Sequence, residues 1–208
     1  MRSNQYKLVE LFLIFVLIPV SFAITYPIWM KMIIGFFGFI YVIYMLLKVE
    51  KNKFKVASNL NWNQFWKTTF IKLVGIAIIT SIYMQIVDID NLFIVVLYKP
   101  LLWIAILFVY SFFSVYPQEL IYRTFFFQRY QSLFKSEWLV IIVNATLFSL
   151  AHIFFKNTLV MFLTFIGGIL FALTYKKTKS TLLVSIEHAI YGCWLFTVGM
   201  GEMLGFPS

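Results

Sequence analysis

The chain has little charge, and negative charge is scarcest. Of its 208 residues only 8 are Asp or Glu, against 17 Lys or Arg, and charged residues total 12%. An average soluble domain carries about 25%. Too little polar surface is left here to cover a soluble globule. One cysteine, Cys193, excludes an intramolecular disulfide framework and any CxxC metal or redox motif. Disorder is excluded too, because disordered chains are poor in aromatics and this one is 21% aromatic.

What is abundant is apolar. Hydrophobic residues make up 62% of the chain, and the mean hydropathy is +0.90. The reading left is an all-α, polytopic membrane helical bundle. Its net charge of +9 is first a topology signal, because Lys and Arg collect on the cytoplasmic side of membrane proteins. Nucleic acid is therefore not an expected partner, and membrane lipid is.

Apolar runs fall at Leu8–Ile24, Met30–Leu47, Thr68–Val87, Pro100–Phe127, Trp138–Phe155, Thr158–Tyr175 and Thr181–Met200. No small-residue cleavage site follows the first, so it reads as a retained span rather than a signal peptide. Between the second and third lies a polar stretch, Lys48–Lys67, with Lys51, Lys53, Lys55, Asn59, Trp62 and Trp66. It suits an interfacial loop or surface helix. The fourth run is about 40 Å long as a helix, more than the ~30 Å hydrocarbon core, so it tilts, kinks at Pro117 or protrudes.

Charge decides the count. About seven spans with the N-terminus inside put Arg2, Lys7, Lys48, Lys51, Lys53, Lys55, Lys67, Arg129, Lys135, Lys176, Lys177 and Lys179 on the inner side. Only Lys31, Lys99 and Lys156 fall outside. A full reversal at Pro117 would send the 176–179 cluster outward. The expectation is one integral membrane domain over 1–208 in a bacterial inner (plasma) membrane, with a cytoplasmic N-terminus.

Ionisable groups inside spans are costly and point to function. Glu119 and Arg123 stand at i and i+4 and share a helix face. Asn144, Phe148 and His152 form one helical stripe. Glu187 and His188 lie early in the last run, Glu187 being either a further acid or an exposed charge near the inner interface. Lys72 lies inside the third. Both histidines of the chain sit in apolar runs, which an incidental distribution would not give. Glu119 lies 16 residues before Lys135, and His152 lies 16 after Ser136. Equal counts from one turn mean equal depth, so the two face each other across a hairpin. His188 is mismatched by roughly 12 Å at 1.5 Å per residue. A carboxylate beside an imidazole can activate water, and a second imidazole can stabilise an oxyanion. The same three groups could instead hold a divalent metal such as zinc. The cofactor stays open between such a metal and none.

Gln118-Glu119-Leu120-Ile121-Tyr122-Arg123 resembles the EExxxR motif of the CPBP family, the CAAX protease and bacteriocin-processing membrane proteins. Phe148–His152 is similar to that family's FxxxH motif, and His188 to the start of its HxxxN/D/S motif. The resemblance covers about 100–200, and 1–99 supplies three accessory spans and the polar loop. It implies an intramembrane endopeptidase, glutamate- or metal-dependent, that opens toward the cytoplasmic side. Its substrate is a membrane-anchored protein or peptide. In that picture Glu119 and His152 activate water, Arg123 accompanies Glu119, and His188 helps hold the oxyanion. Two departures stand out: the first Glu of the motif is Gln118, whose amide cannot act as a base, and the closing Asn or Asp is Gly192. The alternatives are a catalytically inactive CPBP-like scaffold or maturation partner and, third, a transporter.

Overall fold

The computed structural model describes residues 4–52 and 60–205. Arg2, Lys53, Lys55 and Asn59 of the charge and loop expectations lie outside them. Among the described residues there is no strand. Seven helices are long and apolar enough to cross a membrane: Asn4–Phe22, Ile28–Val49, Trp62–Val87, Pro100–Leu133, Glu137–Phe155, Thr158–Thr178 and Thr181–Val198. We number them spans 1 to 7.

Two expectations change at the boundaries. Span 3 begins at Trp62 rather than Thr68, because Asn61 caps it: its side-chain oxygen accepts from the Gln64 N–H at 2.9 Å. Trp62, Trp66 and Lys67 are therefore on the span and not in a surface helix. Span 4 passes Pro117 without breaking. It does so with two wide π-helical segments, Tyr110–Val115 and Leu120–Phe125, on either side of Tyr116–Glu119. Pro117 falls in the first turn after the upstream wide segment, where its missing N–H costs little.

The bundle is apolar outside and carries its ions inside. Leu101 is 83% exposed and Ile86 78%, whereas Glu119, Arg123 and Glu187 are at 0%. In lipid that is the expected polarity, since hydrocarbon solvates leucine and not carboxylate. The largest core is aromatic. Phe15 of span 1 sits edge-on to Tyr122, Phe126 and Tyr130 of span 4. Phe125, Phe126 and Phe127 are all buried, so this run is packing surface.

Two contacts fix the ends of span 4 and span 7. Arg129 pairs through Nε with Glu10 of span 1, and through Nη1 with Glu50 at 2.7 Å. Tyr41 and Tyr130 donate their hydroxyls to the same Glu10 carboxylate. At the opposite end Gly199 terminates span 7 with φ +105°, and a Cβ there would lie 2.1 Å from the Asn91 carbonyl oxygen. Only glycine satisfies both the left-handed backbone and that approach.

Candidate active site

The polar site is assembled by spans 4, 5 and 7. Glu119 accepts from His188 Nδ1–H at 2.8 Å through one carboxylate oxygen. Its other oxygen lies 3.2 Å from Arg123 Nε. The i, i+4 ion pair on span 4 is thus present and fully buried. Arg123 then reaches span 5: Nη1 donates to Asn144 Oδ1 at 2.6 Å, and its guanidinium lies 4.6 Å from the Phe148 ring centroid. Asn144 Nδ2 donates to the Tyr122 carbonyl at 2.6 Å, which completes the link between the two spans. The Asn144–Phe148–His152 stripe therefore faces span 4 as its spacing implies.

His152 stands just past the regular helix, which runs Glu137–Leu150. Its Nδ1–H donates to the Phe148 carbonyl at 2.8 Å. A carbonyl can only accept, so this bond fixes the tautomer and leaves the Nε2 lone pair free for chemistry. Phe148 separates the two imidazoles, at 4.9 Å from the ring of His152 and 5.7 Å from that of His188. Phe171 of span 6 stacks on His188 at 4.2 Å.

The carboxylate of Glu119 thus meets His188 on span 7 instead of His152 on span 5. The equal-depth count assumed one rise per residue on both sides of the turn. The wide segment Leu120–Phe125 lies between Glu119 and that turn, so the regular rise does not hold there. Glu187 differs from the exposed-charge alternative: it is buried, 2.7 Å from Lys72 Nζ, and accepts from the Tyr191 hydroxyl at 2.8 Å. Lys72 is thereby explained as the partner of Glu187.

A cavity of about 680 Å³ adjoins the site. Tyr110, Ser114, Gln118, His152 and His188 line it, while Glu119 does not. Gln118 Nε2 donates to Ser114 Oγ at 2.7 Å, and its Oε1 is buried without a hydrogen-bond partner. Most of the remaining wall is apolar, including Gly38, Ile76 and Phe162. The Glu–His–His metal reading does not fit these residues. The carboxylate is engaged by Arg123 and His188 Nδ1, and among the described residues no three His, Cys, Asp or Glu side chains are placed to share an ion. Tyr110 and Ser114 escaped the sequence reading. Their only signal there is spacing, eight and four residues before Gln118 on one helix face.

A seven-span bundle with a carboxylate-bound imidazole beside an apolar cavity defines an integral membrane protein with a polar cluster buried within the bundle. Residues 100–194 match the family model described as Type II CAAX prenyl endopeptidase Rce1-like. Over that segment, a little under half of the chain, it is similar to the CAAX-protease (CPBP) family of membrane proteins. No curated protein and no solved structure matches it.

Proposed function

We propose that the protein is an intramembrane peptidase that hydrolyses a peptide bond in a membrane-anchored protein or peptide. The observation that carries this reading is the Glu119–His188 pair beside a cavity that His152 and Gln118 also line. Water binds between the His152 Nε2 lone pair and the unpartnered Gln118 Oε1. His152 takes a proton from it as the hydroxyl oxygen attacks the scissile carbonyl carbon. The carbonyl electrons move onto its oxygen. His188, held by the Glu119 carboxylate through Nδ1, has its Nε2 edge on the side of that oxyanion. His152 then returns the proton to the amide nitrogen, the oxyanion re-forms the carbonyl as the C–N bond breaks, and a carboxylic acid and an amine leave. In this scheme Glu119 and Arg123 position His188, and Gln118 orients water without acting as a base. Asn144 and Phe148 hold Arg123, and Glu187 stays with Lys72.

A second reading has its own support. The cavity wall carries an amide at 118, and the nearest site carboxylate is sealed away. That favours a non-catalytic relative that binds membrane peptides. The purified protein in proteoliposomes, given a quenched fluorogenic peptide ending in an S-farnesyl CAAX sequence, separates the two. We expect cleavage, with His152→Ala and His188→Ala each slowing it about 10²-fold or more while the protein stays folded. Peptide binding without turnover in the wild type establishes the scaffold reading instead.

The charge pattern supports an inside N-terminus in a bacterial plasma membrane. The cavity-lining residues of span 1 (14–22), span 5 (148–155) and span 6 (160–171) all lie at the end reached by Phe22 and Phe155. With the N-terminus inside, the cavity occupies the outer half of the membrane. This is the reverse of the cytoplasmic opening that the resemblance implies.

A further inference from the structure

Position 192 has no side chain, and the structure puts another group in its place. A Cβ built on Gly192 would lie 2.0 Å from the Tyr110 hydroxyl oxygen, 2.3 Å from its Cε1 and 2.4 Å from its Cζ. A phenol at this point and any side chain at 192 exclude each other. Gly192 follows His188 by four residues, so a side chain there would stand over the same face of span 7 as the imidazole. Tyr110 comes from span 4 and fills that space. Its ring packs edge-on against Phe196 at 4.7 Å and against His188 at 6.0 Å. Its hydroxyl lies 3.1 Å from His188 Nε2, and Tyr110, Gly192 and His188 all line the cavity.

We propose that Tyr110 is a catalytic residue of the hydrolysis set out above, a proposal that rests on the peptidase reading. A phenol accepts and donates at once. When both ring nitrogens of His188 carry a proton, the phenol oxygen takes the Nε2–H and its own O–H donates to the oxygen of the scissile carbonyl as negative charge develops there. No bond at Tyr110 is made or broken. His188 Nδ1 is already committed to Glu119, so the Nε2 side is the one directed at substrate, and Tyr110 extends it by one hydrogen bond. Gly192 is then the permissive half of a pair: with no side chain of its own, it lets a tyrosine from another span reach the histidine.

The test uses the full-length protein in proteoliposomes with the quenched S-farnesyl peptide. Tyr110→Phe keeps the ring and removes only the hydroxyl. It should lower kcat about 10²-fold, the scale of one oxyanion donor, with KM and melting temperature unchanged. Gly192→Asn alone should lose activity, because the amide and the phenol cannot both fit. Tyr110→Ala/Gly192→Asn should recover at least about tenfold over Tyr110→Ala, since the amide can then occupy the vacated space and supply one oxyanion donor. A second readout needs no turnover. The chain has two histidines, so ¹⁵N-imidazole spectra hold two spin systems. Tyr110→Phe should shift the His188 Nε2 resonance and leave that of His152 in place. Full kcat in Tyr110→Phe, or an unmoved His188 resonance, overturns the assignment of Tyr110 while leaving the peptidase reading intact. A wild type that cleaves nothing overturns the peptidase reading, and the role of Tyr110 falls with it.

Discussion

Arg123 shows at the level of one residue why charge survives inside this bundle. It is fully buried, yet it meets a carboxylate, an amide oxygen and an aromatic face. Each buried ion costs several kcal/mol in lost hydration, and only close partners offset that. Two guanidinium nitrogens make no hydrogen bond: Nη2, and Nε, which has only its ion-pair contact with Glu119. Arg123→Met should therefore destabilise the protein by about 3–5 kcal/mol, because the Glu119 charge is left without its cation. Adding Glu119→Gln should recover part of that loss, since the double variant buries no unpaired ion at this point. Thermal unfolding of the purified single and double variants in detergent measures the coupling. If Arg123→Met melts with the wild type, the buried contacts of Arg123 with Glu119 and Asn144 do not stabilise the bundle.

Among the elements, spans 5 and 6 approach each other closely. A Cβ on Gly168 would lie 2.9 Å from Ala145 Cα, so the two helices touch backbone to backbone through small residues. Gly168→Leu should push them apart, cost about 1–3 kcal/mol or more, and carry Phe171 off the His188 ring. A lower melting temperature together with reduced peptide turnover is the expected pair of results. Such helices were legible in the sequence because a bilayer demands long apolar runs, and all seven runs became spans. Their ends were less legible where a polar residue caps or pairs, as Asn61 does for span 3 and Arg129 for the inner end of span 4. The site was legible as far as helical spacing reaches: Glu119 with Arg123, and Asn144 with Phe148 and His152. The wide turns of span 4 were not, because they arise from tertiary packing and carry no spacing signature. Tyr110 is one of twelve tyrosines. What distinguishes it is a missing side chain on span 7, which no local pattern records.

The whole molecule is tied at one end and hollow toward the other. Arg129 pairs with Glu10 and Glu50, Tyr41 and Tyr130 donate to Glu10, and together they bind the first two spans to span 4 at the N-terminal end. Away from that cluster the same spans part around the cavity. There Gly35 and Gly38 of span 2 face open space, with no atom within 4 Å of where a Cβ would stand. The lysines Lys7, Lys48, Lys51, Lys67, Lys135, Lys176, Lys177 and Lys179 all fall at the tied end, and Lys31, Lys99 and Lys156 at the hollow one. Lysine excess marks the cytoplasmic side, and on the inside-N-terminus orientation we propose, the tied end faces the cytoplasm and the cavity lies in the outer half. The lone native cysteine makes this directly measurable. In a Cys193→Ser background, Ser136→Cys sits between spans 4 and 5 at the tied end, and Lys99→Cys precedes span 4 at the hollow end; both positions are exposed. A membrane-impermeant maleimide added to intact spheroplasts should label Lys99→Cys and spare Ser136→Cys until the membrane is opened. The opposite pattern inverts the bundle, returns the cavity to the cytoplasmic side, and makes the substrate one presented from within the cell.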